Sequence, residues 1–180
     1  TRIAINIKKE IKEQLNLSCS IGISCNKMIA KIASDWKKPS GITLVLPEKT
    51  KDFMTQLPLR KIPGIGPVSE KKLERLGFIT CSDIQRKNKE EVIQKLGERF
   101  GSWLYERSFG IDSRELTTDR IRKSIGHEDT FPYDLIKEHD VHLALEQINL
   151  RLFKIIEQKN ISGHTLTLKI TYHDFKKITR

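Results

Sequence analysis

The sequence has few of the residues that mark secreted, metal-binding or membrane proteins. Its three cysteines, Cys19, Cys25 and Cys81, form no Cys-x-x-Cys pair and have no histidine at ligand spacing. A disulfide framework and a zinc site are therefore not expected, and the cysteines are interpreted as small apolar core residues of a protein in the reducing cytoplasm. No apolar run approaches the length of a membrane span, so we expect no membrane partner.

The chain also lacks a starting methionine, and Thr1-Arg2-Ile3 does not begin a signal peptide. We therefore expect a piece of a longer protein, with room for one ordinary domain or two to three small ones. Acidic residues are scarce in the first 46 positions, where only Glu10, Glu13 and Asp35 occur. Because lysines surround them, we interpret these three carboxylates as solvated or ion-paired rather than as a metal cluster.

Positive charge exceeds negative charge along the whole chain, for a formal net charge of +10. Basic residues outnumber acidic ones by 8 to 3 over residues 1–46, by 14 to 11 over 47–117, and by 11 to 9 over 118–180. An excess spread in this way favours a polyanionic partner that several segments contact. Solubility alone would also explain it, so charge by itself is a weak signal.

Hydrophobic periodicity predicts a partial α/β layer in the first 46 residues. The expected order is helix, strand, helix, strand, at residues 2–14, at 17–24, from Asn26 onward, and at 42–46. Two strands are too few for an independent sheet. We therefore expect an N-terminal part of the protein to complete this layer.

Short helices are predicted after the α/β layer. Residues 47–112 fit a small helical domain of about five helices, in which Thr50 is expected to cap the first. Thr80 and Asn88 have the spacing of capping boxes, and Gly110 has the position of a glycine that ends a helix.

The remaining residues are predicted to form a linker and half of a small α+β module. Residues 113–122 are polar and of mixed charge, which is typical of a linker. In residues 123–180 we expect a β-α-β unit, with strands at 123–131 and 165–172 and a helix at 139–158. The predicted fold class is thus a multi-domain α+β fragment.

The strongest local pattern is a hairpin at residues 59–77. It consists of a short helical turn, the loop Pro63-Gly64-Ile65-Gly66, and a second helix that ends at Gly77. Backbone N–H groups at a helix N-terminus bind phosphate, and basic residues around them add charge. The basic residues here are Arg60, Lys61, Lys71, Lys72 and Arg75.

This hairpin resembles the helix-hairpin-helix motif, whose loop amides bind DNA phosphate without reading base sequence. A tight turn between two helices is the plainer interpretation, but the apolar residues on both flanks favour the motif. The resemblance also implies a possible monovalent cation on the loop carbonyls, here those of Arg60, Ile62 and Ile65.

Four further segments resemble Y-family DNA polymerases. Residues 20–41, SIGISCNKMIAKIASDWKKPSG, resemble the palm segment of that family, and residues 122–131, RKSIGHEDTF, resemble the first strand of its little finger. Residues 103–112, WLYERSFGID, and His173-Asp174-Phe175 resemble the bacterial DNA polymerase IV branch. Together with the hairpin, the resemblance covers essentially the whole chain in the right order.

The resemblance implies a palm remnant at residues 1–46, a thumb at 47–112, a linker at 113–122 and part of a little finger at 123–180. It implies a template-directed, error-prone translesion DNA polymerase, a nucleotidyltransferase of DNA replication, repair and the response to DNA damage. In that family two Mg²⁺ ions are held by carboxylates that precede the segment seen here. We therefore expect no catalytic residue in this chain and no activity from it alone.

The site residues implied by the resemblance are binding residues. Lys38, with Lys31 as a weaker candidate, would contact the triphosphate of the incoming deoxynucleotide. The expected contacts to primer-strand phosphates are the amides of Gly64, Ile65, Gly66 and Val68, with Lys71 and Lys72 adding charge. The expected contacts to the template backbone are Lys123, Ser124, Ile125 and Gly126. A sliding-clamp contact is implied through segments outside this chain.

Two other interpretations stay open at this stage. A non-enzymatic helix-hairpin-helix subunit of a repair or recombination complex would bind DNA but would have no nucleotide-phosphate site. A purely structural basic protein would require the hairpin and the flanking motifs to be coincidences.

Overall fold

The computed structural model describes residues 1–119 and 122–180. The chain divides into two compact units, Thr1–Leu116 and Thr117–Arg180. All fully buried apolar residues of the described ranges lie in the first unit. In the described part of the chain, no helix is both long enough and apolar enough to cross a membrane.

The first unit begins with the predicted helix–strand–helix–strand order. Its elements are α1 (Arg2–Leu15), β1 (Ile21–Ile23), α2 (Lys27–Trp36) and β2 (Ile42–Leu44). β1 and β2 pair in parallel, with Ile21 opposite Ile42. Both strands are shorter than predicted, because each has one hydrogen-bonded neighbour among the described residues and pairing decides where a strand ends.

Helix α2 lies directly against β1. A Cβ atom at Gly22 would be 2.0 Å from the carbonyl oxygen of Ala30, so only glycine permits this approach. The side chain of Asn26 caps α2 by accepting the N–H of Ile29 at 2.9 Å, and its amide donates to the carbonyl of Gly110 at 2.8 Å. One asparagine therefore starts α2 and ties it to a segment 84 residues later.

Five α-helices follow, as predicted. They are α3 (Thr50–Thr55), α4 (Pro67–Arg75), α5 (Cys81–Gln85), α6 (Lys89–Leu96) and α7 (Glu98–Ser108), with 3₁₀ turns at Pro47–Lys49 and Leu59–Lys61. Both predicted capping boxes are present. The Asp83 carboxylate accepts the N–H of Thr80 at 2.7 Å, and the Asn88 side chain accepts the N–H of Glu91 at 2.7 Å.

The prediction that Thr50 caps α3 is wrong. Thr50 is the first residue of α3 itself, and its hydroxyl donates to the carbonyl of Leu46 at 3.3 Å. Pro47 begins a helical turn before it, because a proline has the φ of a helix and needs no N–H partner at the first helical position. The helical path is therefore already under way at Thr50.

One hydrophobic core joins the α/β layer to the helices. It contains residues of α2 such as Ile29 and Ile32, together with Met54, Leu73 and Leu104 from later helices. The predicted palm remnant and thumb therefore pack as a single compact unit.

The second unit differs from the prediction. It contains α8 (Glu138–Lys159), as expected, followed by an antiparallel hairpin of β3 (Lys169–Thr171) and β4 (Lys177–Thr179). Residues 123–131 are irregular, so the prediction of a first strand there is wrong, and the β-α-β unit is an α-β-β arrangement.

The reason for the difference is the availability of a partner strand. Backbone hydrogen bonds between Leu168 and Arg180, at 2.8 and 2.9 Å, extend the hairpin beyond the ladder of β3 and β4. A hairpin partner is close in sequence, whereas the segment 123–131 needs a distant neighbour to become a strand. Alternation of apolar residues alone does not supply that neighbour.

Candidate nucleic-acid interface

The hairpin loop is held by the hydrophobic core on one side and exposed to solvent on the other. Leu59, Ile62 and Leu73 are almost completely buried, so the two flanking helical segments are held in the core. The N–H of Ile65 donates to the carbonyl of Ile62 at 3.1 Å and closes the loop. Val68, by contrast, is 85 % exposed at the start of α4. The loop is thus a rigid feature presented to solvent.

The backbone of the loop requires glycine at one position and leaves amides accessible at another. Gly64 has φ +112°, a conformation that L-residues rarely adopt, and a Cβ there would be 3.2 Å from the Trp103 ring. Gly66 is extended and has open space around it. It is the N-cap of α4 but provides no side-chain cap, and Pro67 follows it. The free N–H groups of the first turn are therefore available to an anion.

Basic side chains lie before α4 and along it. Arg60 forms an ion pair with Glu70 at 3.5 Å, which holds its guanidinium beside the helix. Lys61, Lys71 and Lys72 are exposed. Lys61 lies before the positive end of the α4 dipole, and Lys71 and Lys72 lie further along the helix, Lys72 in its last turn. Contact of these groups with DNA phosphates stays a prediction.

The other predicted phosphate-binding group lies at the end of α2. The Asp35 carboxylate contacts two ammonium groups, that of Lys38 at 2.5 Å and that of Lys31 at 3.2 Å. The hydrogen bond from Lys38, and then that from Lys31, lowers the pKa of Asp35 below its ordinary value. The sequence-based interpretation of Asp35 as ion-paired is confirmed.

These two features form the walls of one groove of about 340 Å³. Helix α2 contributes Lys31, Ile32 and Asp35 to it, and the hairpin contributes residues 60–65. The structure therefore brings the predicted triphosphate residue Lys31 and the predicted DNA-binding loop together. Lys38 is not among the residues that line the groove, but its ammonium group contacts Asp35, which is.

The third predicted group lies in the second unit. Lys123, Ser124 and Gly126 are exposed, and Ile125 is partly buried. They belong to the irregular segment rather than to a strand edge, so their role in contacting a template backbone stays a prediction.

Comparison with known proteins gives a consistent assignment along the chain. Residues 1–35 match the impB/mucB/samB family, residues 60–112 match the domain described as DNA polymerase-iota, thumb domain, and residues 122–180 match the impB/mucB/samB family C-terminal domain. The whole chain aligns with DNA polymerase IV of Yersinia enterocolitica at 41 % identity, covering 51 % of that protein. It aligns with DNA polymerase IV of Clostridium perfringens at 42 % identity, covering 50 %.

A solved structure agrees with these relatives. The fold of a Y-family DNA polymerase chimera of Dbh and Dpo4 superposes with a TM-score of 0.74 at 26 % identity, covering 99 % of this chain and 51 % of the chimera. The chain belongs to the Y-family of DNA polymerases. It resembles the DNA polymerase IV branch in particular and spans about half the length of the curated relatives it matches.

The metal ions of Y-family catalysis do not fit the side chains described here. In residues 1–119 and 122–180, no group of three or more His, Cys, Asp or Glu side chains is arranged to hold a metal ion. Two of the three acidic residues in the first 46 positions form ion pairs with different lysines. Asp35 pairs with Lys38 and Lys31, and Glu13 pairs with Lys9 at 3.8 Å.

One feature of this candidate site was not identified from the sequence, namely the contact of Asp35 with both Lys31 and Lys38. The spacing does contain the signal, since Lys31 and Asp35 are four residues apart on one helix face and therefore within reach of each other. Lys38 lies beyond the helix end, so its return to Asp35 depends on the path of the turn. That path is a tertiary property.

Proposed function

We propose that this chain is the DNA-binding portion of a template-directed, error-prone translesion DNA polymerase of the DNA polymerase IV type. The observation that carries the proposal is the groove with the hairpin residues 60–65 on one wall and Lys31 on the other. Primer extension requires the end of a DNA strand and a nucleoside triphosphate to be held next to each other. The matches to DNA polymerase IV support the same function, and they disfavour a non-enzymatic DNA-binding subunit.

The hairpin is proposed to grip the primer strand through its phosphates. The loop amides from Gly64 to Val68 would donate to phosphate oxygens, and Lys71 and Lys72 would add charge. Such contacts fix the position of a duplex but carry no sequence information. A polymerase that accepts distorted templates benefits from this kind of contact, because base geometry does not enter into it.

The end of α2 is proposed to bind the triphosphate of the incoming deoxynucleotide. Lys38 is the main candidate and Lys31 the second, since both ammonium groups are exposed at the same carboxylate. A lysine is a point charge on a flexible stem, which suits a polyphosphate that must later leave as product. In the second unit, residues 123–126 are proposed to follow the template backbone.

Other parts of the function are assigned to the full-length protein. Nucleotidyl transfer with Mg²⁺ needs carboxylates that the described residues do not bring together, so this chain alone is expected to be inactive. A sliding-clamp contact is proposed through segments outside residues 1–180, and the protein is proposed to act in the cytoplasm. A monovalent cation on the carbonyls of Arg60, Ile62 and Ile65 remains a proposal for the hairpin loop.

The proposed function is tested by comparing this chain with the full-length protein that carries it. Both are expected to bind a primer–template duplex, and the full-length protein is expected to extend the primer when deoxynucleotides and Mg²⁺ are supplied. A full-length protein that binds DNA but extends no primer would support the non-enzymatic alternative instead. Binding restricted to one base sequence would contradict the proposed phosphate grip.

A further inference from the structure

Asp35 occupies a position that the helix dipole disfavours. It lies in the last turn of α2, where the helix dipole is negative and a carboxylate is unfavourable. Yet its two oxygens each contact one ammonium group, Oδ1 that of Lys38 and Oδ2 that of Lys31. The contacts of Asp35 therefore hold two lysine ammonium groups at one carboxylate, at a helix position that the dipole disfavours.

The two lysines need such an arrangement because nothing else in their surroundings restrains them strongly. Their side chains are 62 % and 63 % exposed, and each has several rotatable bonds that lose entropy when fixed. Two ammonium groups also repel each other when they are brought close. A carboxylate between them offsets the repulsion and reduces the number of positions that each can adopt.

Asp35 itself is held by a rigid element. Three other residues of α2, Ile29, Ile32 and Ala33, are at most 4 % exposed, so the helix backbone is anchored in the core. Lys38 follows the helix, beyond its C-cap Lys37. The ion pair therefore connects a residue of the exposed turn to a fixed helix that lines the groove.

We propose that Asp35 is a positioning residue that holds the ammonium groups of Lys31 and Lys38 side by side for the triphosphate of the incoming nucleotide. This inference rests on the proposed triphosphate role of Lys38. Protein kinases use the same physical device, in which a glutamate holds the lysine that contacts the nucleotide phosphates. Asp35 does not itself contact the nucleotide, since a carboxylate would repel a phosphate.

The test is steady-state kinetics of the full-length polymerase with Asp35→Asn, which removes the charge and preserves the size. The KM for deoxynucleotide is expected to rise about three- to fivefold, the upper part of the range that an exposed ion pair can contribute. The kcat and the affinity for primer–template should stay within about twofold of wild type. Asp35→Glu keeps a carboxylate at this position and should remain closer to wild type than Asp35→Asn.

A double-mutant cycle separates positioning from a general structural effect. If Asp35 acts through the lysines, Asp35→Asn should raise the KM much less when Lys31 and Lys38 have already been changed to alanine. An equal rise in both backgrounds would overturn the proposal. The matched control is Asp52→Asn, which removes a single exposed contact to Lys49 at 4.0 Å and should leave the KM unchanged.

The outcomes also distinguish this inference from the proposed function. If Lys38→Ala raises the KM but Asp35→Asn leaves it unchanged or lowers it, the positioning role is wrong and the triphosphate site stands. If Lys38→Ala itself leaves the KM unchanged, both the triphosphate role and the inference that rests on it are wrong.

Discussion

Lys38 is the residue whose charge is expected to matter most for nucleotide binding. Changing Lys38 to alanine in the full-length polymerase should raise the KM for deoxynucleotide about tenfold, or ~1.4 kcal/mol, because a charge-assisted contact to phosphate is lost. Steady-state primer extension measures this effect, and the affinity for primer–template should be nearly unchanged. Lys37→Ala, at the neighbouring exposed position, is the matched control. Weakened DNA binding with an unchanged KM would contradict the assignment.

The two loop glycines are expected to respond differently to valine. Gly66 is extended and unobstructed, so Gly66→Val should preserve the helices while its branched side chain covers the amides at the start of α4. The Kd for primer–template should then rise about tenfold, measured by fluorescence anisotropy, with an unchanged circular dichroism spectrum. Gly64→Val should in addition lower stability, because its φ of +112° strains any L-residue.

A glycine outside the hairpin provides the control for these variants. Gly163 also has open space where a side chain would project, so Gly163→Val should change neither the fold nor the DNA affinity. If Gly66→Val folds normally and binds DNA as tightly as wild type, the backbone-amide mechanism is wrong.

At the scale of elements, the segment that follows α7 is fixed by a buried carboxylate. The Asp112 side chain is completely buried and accepts hydrogen bonds from Arg114 at 2.8 and 2.9 Å. Arg107 is also buried. Its Nη1 lies 3.3 Å from Oδ1 of Asp112 and donates to the carbonyl of Ile111. Asn26 holds the adjacent carbonyl of Gly110, so α2 and α7 share this anchor.

The buried carboxylate of Asp112 predicts a pH-dependent stability. The hydrogen bonds from Arg114 lower the pKa of Asp112 to about 2, below its ordinary value of 3.8. A lowered pKa stabilises the folded state above the unfolded value, and that contribution is lost as the pH falls from about 4 towards 2. The full contribution is about 2 kcal/mol, and about 1 kcal/mol of it should be lost between pH 7 and pH 3, as measured by urea denaturation at the two pH values.

Asp112→Asn is the variant that isolates this contribution. It should lower the free energy of unfolding at pH 7 by about 2 kcal/mol or more, since both arginines lose their charged partner. It should also lose less stability than wild type between pH 7 and pH 3. Asp52→Asn, at an exposed position, should behave like wild type at both pH values. Equal acid sensitivity of wild type and Asp112→Asn would contradict the role of this carboxylate.

Local features of the elements could be predicted from the sequence, and features that depend on distant partners could not. The capping boxes at Thr80 and Asn88 are predictable because all their groups lie within four residues. The prediction of a strand at 123–131 is wrong because a strand exists only where another strand pairs with it. The predicted start of α3 is misplaced because Pro47 also begins a helical turn.

The candidate site likewise has one part that the sequence predicts and one part that it does not. The hairpin is recognisable because its glycines, apolar flanks and lysines are contiguous in sequence. The groove is not, because it forms where α2 packs beside residues 60–65, and that packing depends on the shared core. The contact between Lys38 and Asp35 is also hidden in the sequence, since it depends on the path of the turn after α2.

At the scale of the whole molecule, the distribution of positive charge along the chain bears on how the protein binds DNA. Basic residues exceed acidic ones in each of the three parts of the chain, so no single segment accounts for the net charge of +10. A protein that contacts one DNA backbone at several places would have this distribution, whereas a protein with one basic tail would not. The spread therefore predicts how the affinity depends on salt.

The affinity of the chain for primer–template DNA should fall steeply as salt increases. Each neutralised duplex phosphate contributes about 0.9 to the slope of log K against log salt, because bound counterions are released. Four such contacts would weaken binding roughly a hundredfold between 50 and 200 mM salt. Changing Lys71 and Lys72 together to glutamine should reduce the slope by up to about 2, whereas the same change at Lys9 and Lys12 on α1 should not alter it. Binding that is independent of salt, or an equal effect of both pairs, would show that the hairpin lysines do not contact the DNA backbone.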